Sequence, residues 1–223
     1  MPANSLVSLL GLLLSAAVCL SAPETKCAGE SGDEQGFQSL FDGKTLNGWT
    51  GSVKGYVPEN GMLVCLKEGG GVLRTEKEYK DFVFRFEFKI EPGGNNGVGI
   101  RMPDKGNAAF DAMEIQILDD YSPIYKKMQI QPYQFHGSIY GVVPAKQGHL
   151  KPAGQWNSQE ISARGSQIKI TLNGAVIVDA DISKITETVD HRPHPGLHRP
   201  SGFIGFLGHG ARIEFRNMRI KVL

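Results

Sequence analysis

The chain has 223 residues, with 24 Lys and Arg against 23 Asp and Glu. That length suits one domain with a proper core, and a formal charge of +1 excludes the basic footprint of a nucleic-acid binder. With 28 Gly and 12 Pro, many turns are expected, as in a chain of short strands.

At the N-terminus, residues 6–20 (LVSLLGLLLSAAVCL) are almost purely apolar or small, and Pro, Glu and Lys follow soon after. The run is short for a membrane span and reads as the apolar stretch of a signal peptide, 1–22, with small residues at Ser21 and Ala22 for cleavage. Export to the cell envelope, either secreted or periplasmic, is therefore expected, with no transmembrane helix left after cleavage. Acylation at Cys19 is a lesser alternative, because Val18 stands where a small residue is wanted. Cys27 and Cys65 would meet an oxidising compartment, which permits a disulfide; Cys65 within an apolar strand also fits a buried small hydrophobe. Residues 23–36 (PETKCAGESGDEQG) have no period and read as a flexible linker.

From Phe37 onward the hydrophobic period is two. Phe82, Phe84, Phe86, Phe88 and Ile90 alternate with Val83, Arg85, Glu87 and Lys89, the pattern of a half-buried strand. Ile168, Ile170 and Leu172 lead into Asn173-Gly174 and then Val176 and Val178, a hairpin signal, because both central positions of a type I′ turn need positive φ. Further strands are expected at 62–66, 71–74, 98–102, 112–118, 137–142, 158–164, 202–207 and 211–221. Turn signals recur at Asp42-Gly43, Asn60-Gly61 and Asn96-Gly97. A short helical turn fits near 123–130 or 182–186. About ten strands make an all-β fold of two packed antiparallel sheets, a β-sandwich spanning 37–223. Residues 186–200 (TETVDHRPHPGLHRP) read as a long loop.

Chemistry concentrates in 112–120 (AMEIQILDD). In a strand, Met113, Ile115 and Ile117 face the core, which leaves Glu114 and Gln116 side by side on the outer face. Val98, Ile100 and Met102 alternate with Gly99 and Arg101, so pairing of the two strands would bring Arg101 onto the same face. A carboxylate, an amide and a guanidinium on one sheet face suit an uncharged, hydroxyl-rich sugar, although a solvated face with an ordinary ion pair has the same pattern. The spacing of Glu114, Gln116 and Asp119 resembles the acidic triplet of laminarinase-type glycoside hydrolases. An amide replaces the middle acid, however, and that mechanism needs two carboxyl groups at fixed separation. His136 and His209 stand beside strands, where either can act as acid, base or metal ligand. His191, His194 and His198 read as loop residues. No His-Glu-x-x-His, Cys-x-x-Cys, nucleophile elbow or phosphate loop occurs.

A wider set of segments then fits together: Phe37 to Trp49 (FQSLFDGKTLNGW), Asn95 to Arg101 (NNGVGIR), Glu114 to Asp119 (EIQILD), Gly137 to Gly141 (GSIYG), Lys151 to Asn157 (KPAGQWN), Leu172 to Gly174, His209-Gly210, and Glu214 to Ile220 (EFRNMRI). In this order the chain resembles the 3-keto-disaccharide hydrolase domain family, common in secreted bacterial proteins, across nearly all of 36–223. The resemblance implies a concanavalin A-like, laminin G-like jelly roll and a carbohydrate partner. It implies cleavage of glycosidic bonds in sugars oxidised at C3: a base removes the acidified C2 proton, the C1 substituent leaves, and water adds. Carried onto this chain, Glu114 or His136 is the base and Arg101 or a divalent metal the oxyanion stabiliser, with His209 also in a family-like segment. Gln116, Asn96, Tyr140, Trp156 and Asp119 then contact sugar. A non-catalytic, lectin-like module on the same sandwich is the alternative.

Overall fold

The computed structural model of the chain describes Met1 and residues 34–223. The expected signal peptide, Cys19, Cys27 and most of the linker lie outside the described residues. Among the described residues thirteen strands follow in order: β1 Gln38–Ser39, β2 Trp49–Gly51, β3 Tyr56–Glu59, β4 Met62–Cys65, β5 Gly71–Tyr79, β6 Phe82–Ile90, β7 Asn95–Met102, β8 Met113–Leu118, β9 Trp156–Arg164, β10 Gln167–Leu172, β11 Ala175–Asp181, β12 Gly202–Gly208 and β13 Ile213–Val222. The α-helix α1, Pro123–Met128, occupies the first region where a helical turn is expected, and a 3-10 turn, Ile182–Lys184, the second. Among the described residues no helix is long and apolar enough to cross a membrane.

Two antiparallel sheets form the jelly-roll sandwich. The larger runs β11-β10-β9-β6-β13-β4-β3, with β1 added on β13; the smaller runs β2-β5-β12-β7-β8. The alternation in β6 is realised as expected: its four phenylalanines and Ile90 are essentially inaccessible. Phe215 of β13 and Phe206 of β12 stack between the sheets at a centroid distance of 3.9 Å. Enclosing side chains of this size contributes about 1.5–3 kcal/mol each and holds the two layers together. Cys65 sits in the same interior, fully buried.

The Asn173-Gly174 turn has φ of 49° and 84°, and Asn60-Gly61 repeats it at 51° and 77°, so both hairpins take the form their sequences favour. Two expectations are corrected. Asn96-Gly97 lies inside β7 and makes no turn. Residues 137–142 form no strand; only Ile139 bridges, to Ile115 and to Val143.

A third correction matters most for the site. Phe203 of β12 pairs with Met102 while Gly205 pairs with Gly99, so β7 carries one extra residue. Arg101 absorbs it with φ of 52°, which makes a β-bulge. The bulge reverses the alternation beyond Ile100: Met102 turns to the outer face, and Arg101 leaves it.

Candidate functional site

β8 carries Glu114 and Gln116 on the outer face of the smaller sheet, directly opposite Gly99 and Gly97 of β7. Gly99 in turn pairs with Gly205 of β12. Opposed residues of an antiparallel pair project to one side, so the strands beside Glu114 present three glycines. A methyl group at Gly97 would overlap the Glu114 carboxylate, and one at Gly99 or Gly205 would overlap the Met102 thioether. Glu114 therefore lies flat across β7, and Met102 lies flat across Gly99 and Gly205.

His209, in the turn between β12 and β13, places Nε2 3.9 Å from Glu114 Oε1. The Glu114 side chain is only 6% exposed and that of His209 is 51% exposed, so the pair joins an enclosed carboxylate to a solvent-facing imidazole. The bonding and charge of Glu114 hold the His209 imidazolium above the ordinary histidine range, against the opposing effect of burial. Gln116 Nε2 donates to Asn95 Oδ1 at 3.2 Å, which fixes the amide beside the carboxylate. On the other side of β8, Tyr140 N donates to the Glu114 carbonyl at 2.9 Å, and the Tyr140 hydroxyl accepts from Gln134 Nε2 at 3.1 Å. Glu114, Gln116 and His209 are thus brought together, with the Tyr140 backbone fastened to the strand at Glu114.

Five expected site residues are placed elsewhere. The bulge sends Arg101 to the end of the sandwich, where its guanidinium donates to Lys80 O (3.1 Å), Gly165 O (2.8 Å) and Asp81 Oδ1 (3.4 Å). With Nη1 also donating to Arg199 O (3.4 Å), it ties three connections together, and it is 3% exposed. His136 lies in the core. Its Nδ1 accepts from Leu118 N (3.4 Å), which leaves Nε2 as the donor to Gln159 Oε1 (3.0 Å). The ring stacks on Phe88 at 5.0 Å, and burial pushes its pKa down to about 4. A neutral, enclosed ring with both nitrogens bonded is structural, not a base facing sugar. Asn96 faces the interior beside Tyr56 and Cys65, and its Oδ1 accepts from Gly97 N (2.9 Å) and Leu207 N (3.2 Å). Asp119 closes the turn after β8, accepting from Gly93 N (2.8 Å) and Tyr121 N (3.2 Å). Trp156 is on the larger sheet, under the Arg216 guanidinium at 4.0 Å.

The long loop 186–200 flanks the site. His194 Nε2 bonds both oxygens of Asp190, at 3.0 and 3.2 Å, and the pair packs against Gly141, where a Cβ would overlap it. Asp190 N donates to Gly141 O at 3.2 Å and Gly196 N to Phe110 O at 2.9 Å, so the loop fastens both segments bordering β8. This buried pair had no local sequence signal. The glycine floor had one: Gly97-x-Gly99 within an apolar run leaves one strand face bare.

Among the described residues, no three His, Cys, Asp or Glu side chains converge in a set that would hold a metal ion. Glu114 and His209 alone do not make up the donor set of a resident divalent ion.

Residues 36–221 match the 3-keto-alpha-glucoside-1,2-lyase-like domain family. A 3-keto-disaccharide hydrolase of Bacteroides thetaiotaomicron is 28% identical over 86% of this chain and 80% of its own length. A crystal structure of a candidate glycosyl hydrolase from Parabacteroides distasonis superposes with a TM-score of 0.75 at 31% identity, covering 84% of this chain and 99% of that one. The exoplasmic domain of VIP36, at 9% identity, TM-score 0.52 and coverage of 85% and 89%, shares the fold alone. The family match takes in both sheets and every residue around Glu114, and the chain therefore belongs to the 3-keto-alpha-glucoside-1,2-lyase-like domain family.

Proposed function

We propose that this protein is an exported carbohydrate-active hydrolase that cleaves the glycosidic bond of 3-keto-glycosides, disaccharides among them. The observation that carries this reading is the Glu114 carboxylate, laid flat on a glycine floor 3.9 Å from His209 Nε2, in a chain of this family. The apolar segment at 6–20 supports export.

A ketone at C3 acidifies the hydrogen on C2. In the proposed sequence Glu114 takes that proton, and the released electron pair forms the C2–C3 enolate. The Tyr140 hydroxyl and the Gln116 amide donate to the C3 oxygen as charge develops there. The enolate then collapses to a C1–C2 double bond, the C1–O bond breaks, and the departing oxygen takes a proton from the His209 imidazolium. Water adds back at C1 and loses a proton to His209, while C2 recovers its proton from Glu114. Both side chains return to their starting states, and the net change is addition of one water across the glycosidic bond.

The test is release of free sugar from 3-ketomaltose by the wild type and by Glu114→Gln. Removal of a general base is expected to lower kcat by a factor of about 10²–10⁴. Equal activity in both would remove Glu114 from the mechanism. Sugar binding without any release by the wild type would make the domain a binding module instead.

A further inference from the structure

The outer face of the smaller sheet continues past the glycines. Glu114 pairs with Gly99, Gly99 with Gly205, Gly205 with Arg74 of β5, and Arg74 with Thr50 of β2. These five positions form one row across five strands, all projecting to the same side. At about 4.8 Å per strand, Arg74 stands about 14 Å from Glu114 along that row. At the Arg74 end lies a cleft of about 240 Å³ whose lining includes Thr50, Val72, Arg74, Met102, Asp104 and Ala108. Met102 is the common wall: its thioether rests on Gly99 and Gly205 beside Glu114, and it also borders the cleft.

The lining is amphipathic in a particular way. Val72, Met102 and Ala108 offer an apolar floor. The rim offers the guanidinium of Arg74, paired with Asp104 and lying over the Phe203 ring at 3.9 Å from its centroid. A fixed donor fork beside an acceptor carboxylate matches adjacent hydroxyl groups, which both donate and accept. A neutral pyranose has both features, an apolar C–H face and a rim of hydroxyls. We infer that this cleft is a second saccharide subsite, which holds the sugar beyond the ring at Glu114 and lets the enzyme distinguish a disaccharide from a simple glycoside. The inference rests on the function proposed above and deepens it. Arg74 and Asp104 are its specificity-determining residues, and Met102, unbranched and adaptable, separates the two rings.

The test compares 3-ketomaltose with methyl 3-keto-α-glucoside, which lacks the second sugar. Arg74→Ala should lower kcat/KM for 3-ketomaltose about tenfold, as expected for lost hydrogen bonds from a charged donor, and leave the methyl glycoside unchanged. Asp104→Ala, on an exposed side chain, should show the same selectivity without disturbing the Arg74–Phe203 stack. Equal losses on both substrates, or no loss on either, would overturn the subsite. If the wild type cleaves neither compound, the proposed reaction is what has failed, and the cleft is then probed with unoxidised maltose by NMR. Movement of the Arg74 side-chain resonance in the wild type supports the subsite; an unmoved resonance rejects it.

Discussion

The outer faces of the two sheets carry similar residue types and treat them in opposite ways. On the larger sheet, charges stand directly opposite charges. Arg85 faces Glu160 across β6 and β9, with Nε and Oε2 2.7 Å apart. Glu87 faces Arg216 and Lys89 faces Glu214 across β6 and β13, at 2.7 and 2.6 Å. On the smaller sheet, the cross-strand neighbour of Glu114 is a glycine and that of Gln116 is another. The first face cancels its charges locally and behaves as a solvated surface. The second leaves a carboxylate beside bare backbone, with an imidazolium from a turn as its counter-charge. Charge alone therefore does not mark a site; the absence of a neutralising residue on the adjacent strand does.

Filling the bare floor should break this contrast most severely. In Gly97→Ala the new methyl meets the flexible end of Glu114 rather than backbone, so the fold should survive while the carboxylate is pushed aside. A displacement of about 1 Å at a reacting group costs on the order of 10² in kcat. His209, deprived of the carboxylate that raises its pKa, should titrate closer to the ordinary histidine value when followed by NMR. An unchanged kcat together with an unchanged His209 titration would show that the glycine does not position Glu114.

The two histidines sharpen the comparison through pH. His136 is held neutral with its pKa at about 4. A base whose folded pKa is depressed contributes stability above its unfolded value near 6.5, and that stability is lost as pH falls toward 4, to a total of about 3 kcal/mol. Asp120 accepts from His136 N at 2.9 Å, and burial raises its pKa to about 6. It works in the opposite sense, because the folded state takes up its proton first and falling pH favours folding between about 6 and 3.8. Urea midpoints at pH 7 and 4.5 should differ little in the wild type. Asp120→Asn should lose stability steeply at the lower pH, and His136→Gln should gain it. Parallel behaviour of all three proteins would contradict the assignment of either group.

The smallest effect belongs to the charged ladder. Glu160→Gln removes the partner of Arg85 from a partly exposed pair, and such pairs contribute roughly 0.2–1 kcal/mol. Activity on any 3-keto-glycoside should remain at the wild-type level. A marked loss of turnover would mean that the larger sheet takes part in catalysis after all.

Much of this was legible in the chain because strand faces follow a period of two. The β6 phenylalanines, the Asn173-Gly174 hairpin and the shared face of Glu114 and Gln116 needed only that rule. Arg101 departs from that rule because one left-handed residue resets the alternation beyond it, and nothing in Gly99-Ile100-Arg101-Met102 announces a bulge. The burial of His136 depends on residues 132–138 folding inward to reach Gln159, which no local pattern encodes. Asn96-Gly97 has the composition of a turn; its place in β7 is set by hydrogen bonds on both sides, and the Asn96 side chain turns inward to serve Gly97 and Leu207.

The glycine floor also sets how this surface tolerates inherited change. Along the charged ladder of β6 and β13, most single substitutions leave a long side chain room to turn into solvent, and a lost partner costs little. At positions 97, 99 and 205 every alternative adds at least a Cβ, and each meets a different obstacle: the carboxylate, the thioether and, at Gly205, the Leu73 carbonyl as well. A map of mutational tolerance over the two faces would therefore outline the site by residues that have no side chain, while the visibly charged face would look almost blank.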